Sequence, residues 1–409
     1  MKKKVPEIIK LTALLTAGIT ASFAFSGCLN PISIDSCGYV VTVGADIGKN
    51  APYEVILELQ RERSNVSNES EGGAIILSEE GNNIFEVIKK LSEGIPFQLN
   101  FTRTHLFVFS EALARAGLIK DFLEMSFDTL KIRESALMLI THCSVRDYIG
   151  GLNSNNNANL SKLQDDLMND VNHSGHAAII NLNRFYESCR EKRFDPAIPM
   201  GFYNDGILTD VKQKDTTLKG ENPLEEGNPG VRLGGMKSLT YGAALFDGSV
   251  MTGTLDAGDT QFMNLGRGTF KNGSISYVCD DGTVLTFTLE IGKRKVDIEM
   301  EKDGNIRAET DLKLNLTVQQ DAGLIIGNNW ESGMKKTLEK FIENELKRVF
   351  LKCRGSNCDA MGFGRDVSKK FRKTSAWEAF DWKQAYKNTE ADFNVELKLD
   401  DRYLAFLRH

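Results

Sequence analysis

Neither G-x-S-x-G nor H-E-x-x-H occurs in this chain, and histidine is scarce, with five among 409 residues. Without the first there is no strained nucleophile turn of the serine-hydrolase kind, and without the second no helical zinc-protease face. No two cysteines stand at C-x-x-C spacing, which leaves a redox couple or a zinc knuckle unsupported. Basic excess is missing too: the net charge of −6 gives no footprint for nucleic acid. Proline is sparse at eight residues, while 41% hydrophobic and 26% charged content describes an ordinary folded protein long enough for two or three domains.

The groups that could do chemistry are scattered. His105 lies in a strand-like run, where packing accounts for it. His142 and Cys143 are adjacent, so on a strand they point to opposite faces. His173 and His176 sit in a polar loop where a metal would need Asp170 or Cys189, and no second pair at zinc spacing exists. His409 is the last residue. Asp165-Asp166 and Asp280-Asp281 are chain neighbours, which turns their carboxyls apart. Gly362-Phe-Gly-Arg365 has the look of a phosphate nest but lacks the lysine and the strand–helix setting of a P-loop, and reads as a turn. The expectation is no enzyme, no metal and no cofactor.

What is present begins at the N-terminus. Three lysines follow Met1, then residues 11–25 read LTALLTAGITASFAF, with no charge before Asp35. A basic start, an apolar stretch and small residues make a secretory signal. A spanning helix is the competing reading, but Thr, Ser and Gly dilute the stretch and Pro31 closes it. Cys28 follows Ser26-Gly27, small residues that let a peptidase approach the backbone, as in the bacterial lipobox. Phe25 stands where that pattern prefers Leu. The other six cysteines, Cys37, Cys143, Cys189, Cys279, Cys353 and Cys358, form an even set and leave Cys28 over. Cys28 is therefore expected to carry an S-diacylglyceryl group and an N-acyl chain such as palmitate, which together hold a membrane far better than one chain. Residues 1–27 contain four lysines and one glutamate, a net +3, so their removal takes the chain from −6 to −9. An acidic chain gains nothing from anionic lipid. Attachment must be covalent or through a partner.

Along the rest, 38–48 and 53–60 read as strands, and 61–73 as a polar surface loop. Asn83 caps a helix with Glu86 three residues on, and Ser110 caps another over 111–125. Strands are expected at 105–109 and 135–143, and a helix over SKLQDDLMNDV (161–171). Asp-Pro-Ala-Ile-Pro-Met, 195–200, reads as a rigid connector, and 212–230 as a long charged loop. Then come a hairpin about Asp247-Gly248, strands at 283–291, 295–301 and 306–320, a helix over 334–352 and a strand at 393–399. Cys353 and Cys358 enclose four residues, and both a short-range disulfide and a pair of free buried thiols are open there.

Four stretches in order resemble the Ger(x)C family, the C-subunit lipoproteins of spore nutrient germinant receptors. They are the lipobox with the strand ending at Val43-Gly-Ala-Asp46, residues 82–117, residues 243–256, and the Asp359-x-x-Gly-Phe-Gly … Trp377 … Trp382 tail. Leu29-Asn30 stands where the family carries Trp-Asp. The resemblance implies an α+β protein of three mixed α/β domains, with largely antiparallel sheets flanked by helices. The divisions are signal peptide 1–27, an N-terminal domain 28–205, a β-rich middle 206–285 and a C-terminal domain 286–409. It further implies a lipid-anchored protein on the outer face of the spore inner membrane, beside two integral-membrane subunits of A and B type. A solute-binding lipoprotein of a transporter is the alternative, and it would show two doubly wound lobes.

Overall fold

In the computed structural model the described residues are 37–60, 74–130, 132–155, 174–203, 238–270, 272–278, 284–301, 305–318 and 333–399. The signal peptide with Cys28, the loops at 61–73 and 212–230, the segment 161–171, Asp165-Asp166, His173, Cys279, Asp280-Asp281 and His409 lie outside them.

Two mixed sheets carry the fold. The larger is built from β1 (Cys37–Asp46), β2 (Tyr53–Gln60), β3 (Ile75–Gly81), β4 (Gln98–Asn100), β5 (Leu106–Ser110), β6 (Leu137–Thr141), β7 (Ala197–Tyr203), β8 (Ser238–Asp247) and β9 (Val250–Leu255). Its order is β3-β2-β1-β5-β6-β7-β8-β9, with the short β4 beside the start of β1. The centre, β1-β5-β6-β7, is parallel, and both flanks are antiparallel. Parallel strands need crossovers, and helices supply them. These are α1 (Ile84–Glu93), α2 (Glu111–Arg115), α3 (Ile119–Leu130), α4 (Val145–Asn155) and α5 (Leu182–Glu191).

Strand alternation sorts the side chains into two layers. Phe107 and Phe109 of β5, with Met138 and Ile140 of β6, enter the core under α1, α2, α3 and α5. Leu106, Val108 and Leu139 face the other way, onto Val145, Tyr148, Ile149 and Leu152 of α4. Asn83 caps α1 by accepting from the Glu86 N–H at 3.0 Å, while Glu86 reaches back to the N–H of Asn82 at 2.9 Å. The single helix expected over 111–125 is two, because Gly117 takes φ 74° and breaks it.

The smaller sheet has the order β10-β11-β12-β13, from β10 (Asn272–Val278), β11 (Val284–Met300), β12 (Ile306–Val318) and β13 (Glu390–Leu399). The strands expected separately at 283–291 and 295–301 are one strand, β11, with its register shifted between Ile291 and Lys293, at Gly292. α6 (Ala257–Arg267) and α7 (Lys335–Gly355) pack with this sheet. Leu338, Ile342, Leu346, Val349 and Phe350 make the buried stripe of α7, against Ala391, Phe393, Val395 and Leu397 of β13. Short helices α8 (Phe363–Ser368), α9 (Thr374–Glu378) and α10 (Trp382–Lys387) follow.

The expected connector at 195–200 turns out to be largely strand. β7 pairs with both β6 and β8 despite Pro199, because the register of β7 and β8 slips between Pro199 and Met200. A bulge of this kind is where a sheet tolerates a residue without an N–H. The division drawn at 285 falls inside β11, and the one drawn at 205 falls between β7 and β8, which are neighbours in the larger sheet. β8 and β9 extend the larger sheet through β7, and β10 belongs to the smaller one, so the described strands between 206 and 285 are shared out rather than grouped. β7 and β8 also alternate between cores. Ile198, Ala244 and Phe246 join the core of the larger sheet; Ala197, Ala243 and Leu245 join that of the smaller. Alanine at two of those three places lets the second layer approach closely.

Candidate functional site

Where the two sheets meet, a set of charged groups is buried. Asp195, just before β7, is 2% exposed, and Asp359, between α7 and α8, is fully buried. Asp359 is followed by Gly362-Phe-Gly364, and its carboxylate closes over their backbone. Oδ1 accepts from the N–H groups of Gly362 at 3.0 Å and Phe363 at 2.9 Å. Oδ2 accepts from Gly364 N–H at 2.6 Å and from Trp382 Nε1 at 3.2 Å. The nest that resembled a phosphate cradle is thus occupied by the chain's own anion.

Two glycines permit this. Gly362 has φ 79°, which a side chain would strain. A Cβ on Gly364 would lie 2.5 Å from Trp382 Nε1 and 2.7 Å from the Arg193 carbonyl oxygen, so the approach of the two regions requires its absence.

Asp195 binds the same knot from the other side. Its Oδ2 accepts the Asp359 N–H at 2.7 Å, its own N–H donates to the Asp359 carbonyl at 3.2 Å, and its Oδ1 accepts from Gly248 at 3.2 Å. Lys383 of α10 pairs with Asp195 and, at 2.6 Å, with Asp247 in the β8–β9 hairpin. Asn357, held at φ 50°, donates to Asp247 at 2.7 Å. Trp377 Nε1 donates to the Glu191 carbonyl at 3.2 Å, and Tyr386 OH to the Cys358 carbonyl at 3.0 Å. The hairpin turn, the end of α5 and the start of β7 are thereby tied to the segment 357–386.

Burial, with the Asp195 charge added, pushes the Asp359 carboxyl up to about 7, although every group touching it is a donor and pulls the other way. Burial raises Asp195 as well, opposed by Lys383. Such an arrangement positions chain segments. It presents no exposed nucleophile, and its carboxylates are committed to N–H groups.

A second cluster lies between α6 and α7, where Asp259, 1% exposed, pairs with Arg348 and Lys352 while Glu345 holds Arg348 at 2.6 Å. Cys353 and Cys358 are free thiols, both buried in the core of the smaller sheet, and burial raises both well above the ordinary thiol value. Of the two states open for this pair, the structure has the free one. His142 is exposed and its Nδ1 meets Glu111 at 2.7 Å, while Cys143 lies against Thr141. His105 Nδ1 meets the Arg103 carbonyl at 2.6 Å. Burial lowers His176. No three His, Cys, Asp or Glu side chains gather as a metal site among the described residues, and no described helix is long and apolar enough to cross a membrane.

The D-x-x-G-F-G and Trp pattern pointed to half of the knot. Asp195 and Lys383 were missed; they are 188 positions apart, and neither stands in a periodic or spaced motif.

Comparison with known proteins falls on the same two regions. Residues 30–201 match the family described as spore germination protein N-terminal domain. Residues 241–402 match spore germination B3/GerAC like, C-terminal. Spore germination protein KC of Bacillus subtilis (strain 168) is 19% identical over 397 residues, covering 93% of this chain and 91% of the relative. The crystal structure of the GerBC protein is similar in fold, with a TM-score of 0.51 and 14% identity, over 87% of this chain and 96% of that one.

Proposed function

The chain belongs to the Ger(x)C family of spore-germination proteins, and from that membership we propose that it is the lipid-anchored C subunit of a nutrient germinant receptor. It acts by protein contacts at the outer face of the spore inner membrane, beside two integral-membrane subunits of A and B type, and catalyses no reaction. The observation that carries this reading is the order of the two family matches, 30–201 and then 241–402, across nearly the whole chain. Cys28 behind Ser26-Gly27 supplies the anchor, and the acidic charge of the chain leaves a covalent anchor or a partner as its routes to a membrane. The buried knot fits a scaffold: it holds the two matched regions in one arrangement, so a contact on either is felt by both.

The test is recovery of the tagged full chain from detergent-solubilised spore membranes. Two integral-membrane proteins are expected to come with it in fixed ratio. Recovery of the chain alone, under conditions that keep other membrane complexes whole, would contradict the assignment.

A further inference from the structure

Arg365 ends the Gly-Phe-Gly-Arg segment, and the knot does not use its side chain. It is stacked over the Phe194 ring at 3.9 Å. Arg184 of α5 approaches the same ring at 5.0 Å. Between α5 and α8 these residues line a cavity of about 290 Å³, together with Glu187, Glu191, Arg193, Ser368 and Lys369.

The charges in it do not balance. Four cations line the cavity against two carboxylates. Arg184 holds Glu187 at 2.7 Å, Arg193 holds Glu191 at 3.6 Å and Lys369 holds Asp366 at 2.7 Å; Arg365 holds no carboxylate among the described residues. Nη2 of Arg365 and Nε of Arg193 are buried without a hydrogen-bond partner. Burial, and then the neighbouring Arg184, lowers the Arg365 guanidinium from its usual value. Half-buried Arg267 is disfavoured in the same way, by burial and then by Arg365 and Arg184. Buried donors without acceptors in native proteins ordinarily have a water or an ion to satisfy them. An excess of guanidinium groups in one partly enclosed space suits an oxyanion, which takes several charge-assisted hydrogen bonds at once.

We propose that this cavity binds a phosphate group, free or carried by a small molecule, held by Arg184, Arg193, Arg365 and Lys369. One charge of the lining, that of Arg365, has no carboxylate among the described residues, and an anionic oxygen would supply its partner. The volume exceeds that of phosphate alone and leaves room for a small ester. The site spans the seam, with α5 on one side and α8 on the other, so an occupant would tighten the joint that the Asp359 knot already makes.

Isothermal titration of the full chain in detergent, at constant ionic strength, tests this with inorganic phosphate and with glycerol 3-phosphate. Saturable binding of either is expected. Tighter binding of the first identifies free phosphate as the ligand, and tighter binding of the second a phosphate ester. Arg365→Gln should weaken binding about tenfold or more, the loss expected for one charge-assisted contact. Lys369→Glu, at a side chain that is 74% exposed, keeps the Phe194 stacking intact and should weaken it comparably. It decides the matter where the arginine variant does not fold. No binding of either probe up to millimolar concentration, or unchanged affinity in the folded variants, would overturn the proposal.

Discussion

The two family-matched regions differ in how each completes its sheet. The N-terminal one, 30–201, supplies the parallel centre of the larger sheet but ends with β7, whose free edge is taken by β8. Most of β8, and β9 with it, belongs to the C-terminal match, which otherwise builds the smaller sheet. The exchange runs both ways. Asp195, from the first region, completes the knot around Asp359 in the second, and Trp377 of the second reaches the Glu191 carbonyl of the first. Strands are lent in one direction and a charge in the other. The joint is therefore of a piece with both cores, and a hinge there would have to break sheet hydrogen bonds and unpair buried charge together.

Asp359→Ala should have the largest effect, because it strands the N–H groups of Phe363 and Gly364 and the Trp382 indole N–H in a buried place and leaves Gly362 N–H only the Asp359 carbonyl. A loss of about 3 kcal/mol is expected, with a single cooperative urea transition retained at lower midpoint. Two separated transitions would mean that the regions fold independently and that their exchange of strand and charge is incidental.

A smaller effect is expected from pH. The folded Asp359 carboxyl, at about 7, lies above the value of about 3.9 for a free aspartate, so the folded chain keeps this proton longer than the unfolded chain. Its contribution favours folding below about pH 4 and is lost as the pH rises to about 7. Asp359→Asn removes that titration. Urea midpoints measured from pH 4.5 to 8 should therefore fall less steeply with rising pH in Asp359→Asn than in the parent. An equal slope would place the titrating group elsewhere.

Much of the fold is legible in the residues because local rules act within a few positions. Asn83 and Ser110 cap the helices they announce. Asp247-Gly248 turns its hairpin, and the apolar stripe of 334–352 lies on a sheet. The failures have physical causes. Pro199 disguises a strand that survives by a slip in register, and β3 is half-buried along most of its length and lacks the alternation that would mark it. Gly292 reads as a break between strands and is a bulge within one. The candidate site was half legible. Asp359 and its glycines are neighbours in the chain, whereas Asp195, Asp247 and Lys383 meet only after both sheets have formed. The pairing of charges across 188 positions leaves no period to read.

We propose that this acidic two-sheet protein is held at a membrane by Cys28 to work as a receptor subunit. Metabolic labelling with a fatty acid, followed by membrane fractionation of the parent and of Cys28→Ser, tests it most directly. The parent is expected to be labelled and to sediment with membrane, and Cys28→Ser to lose both label and retention. Label and retention unchanged in Cys28→Ser would contradict it.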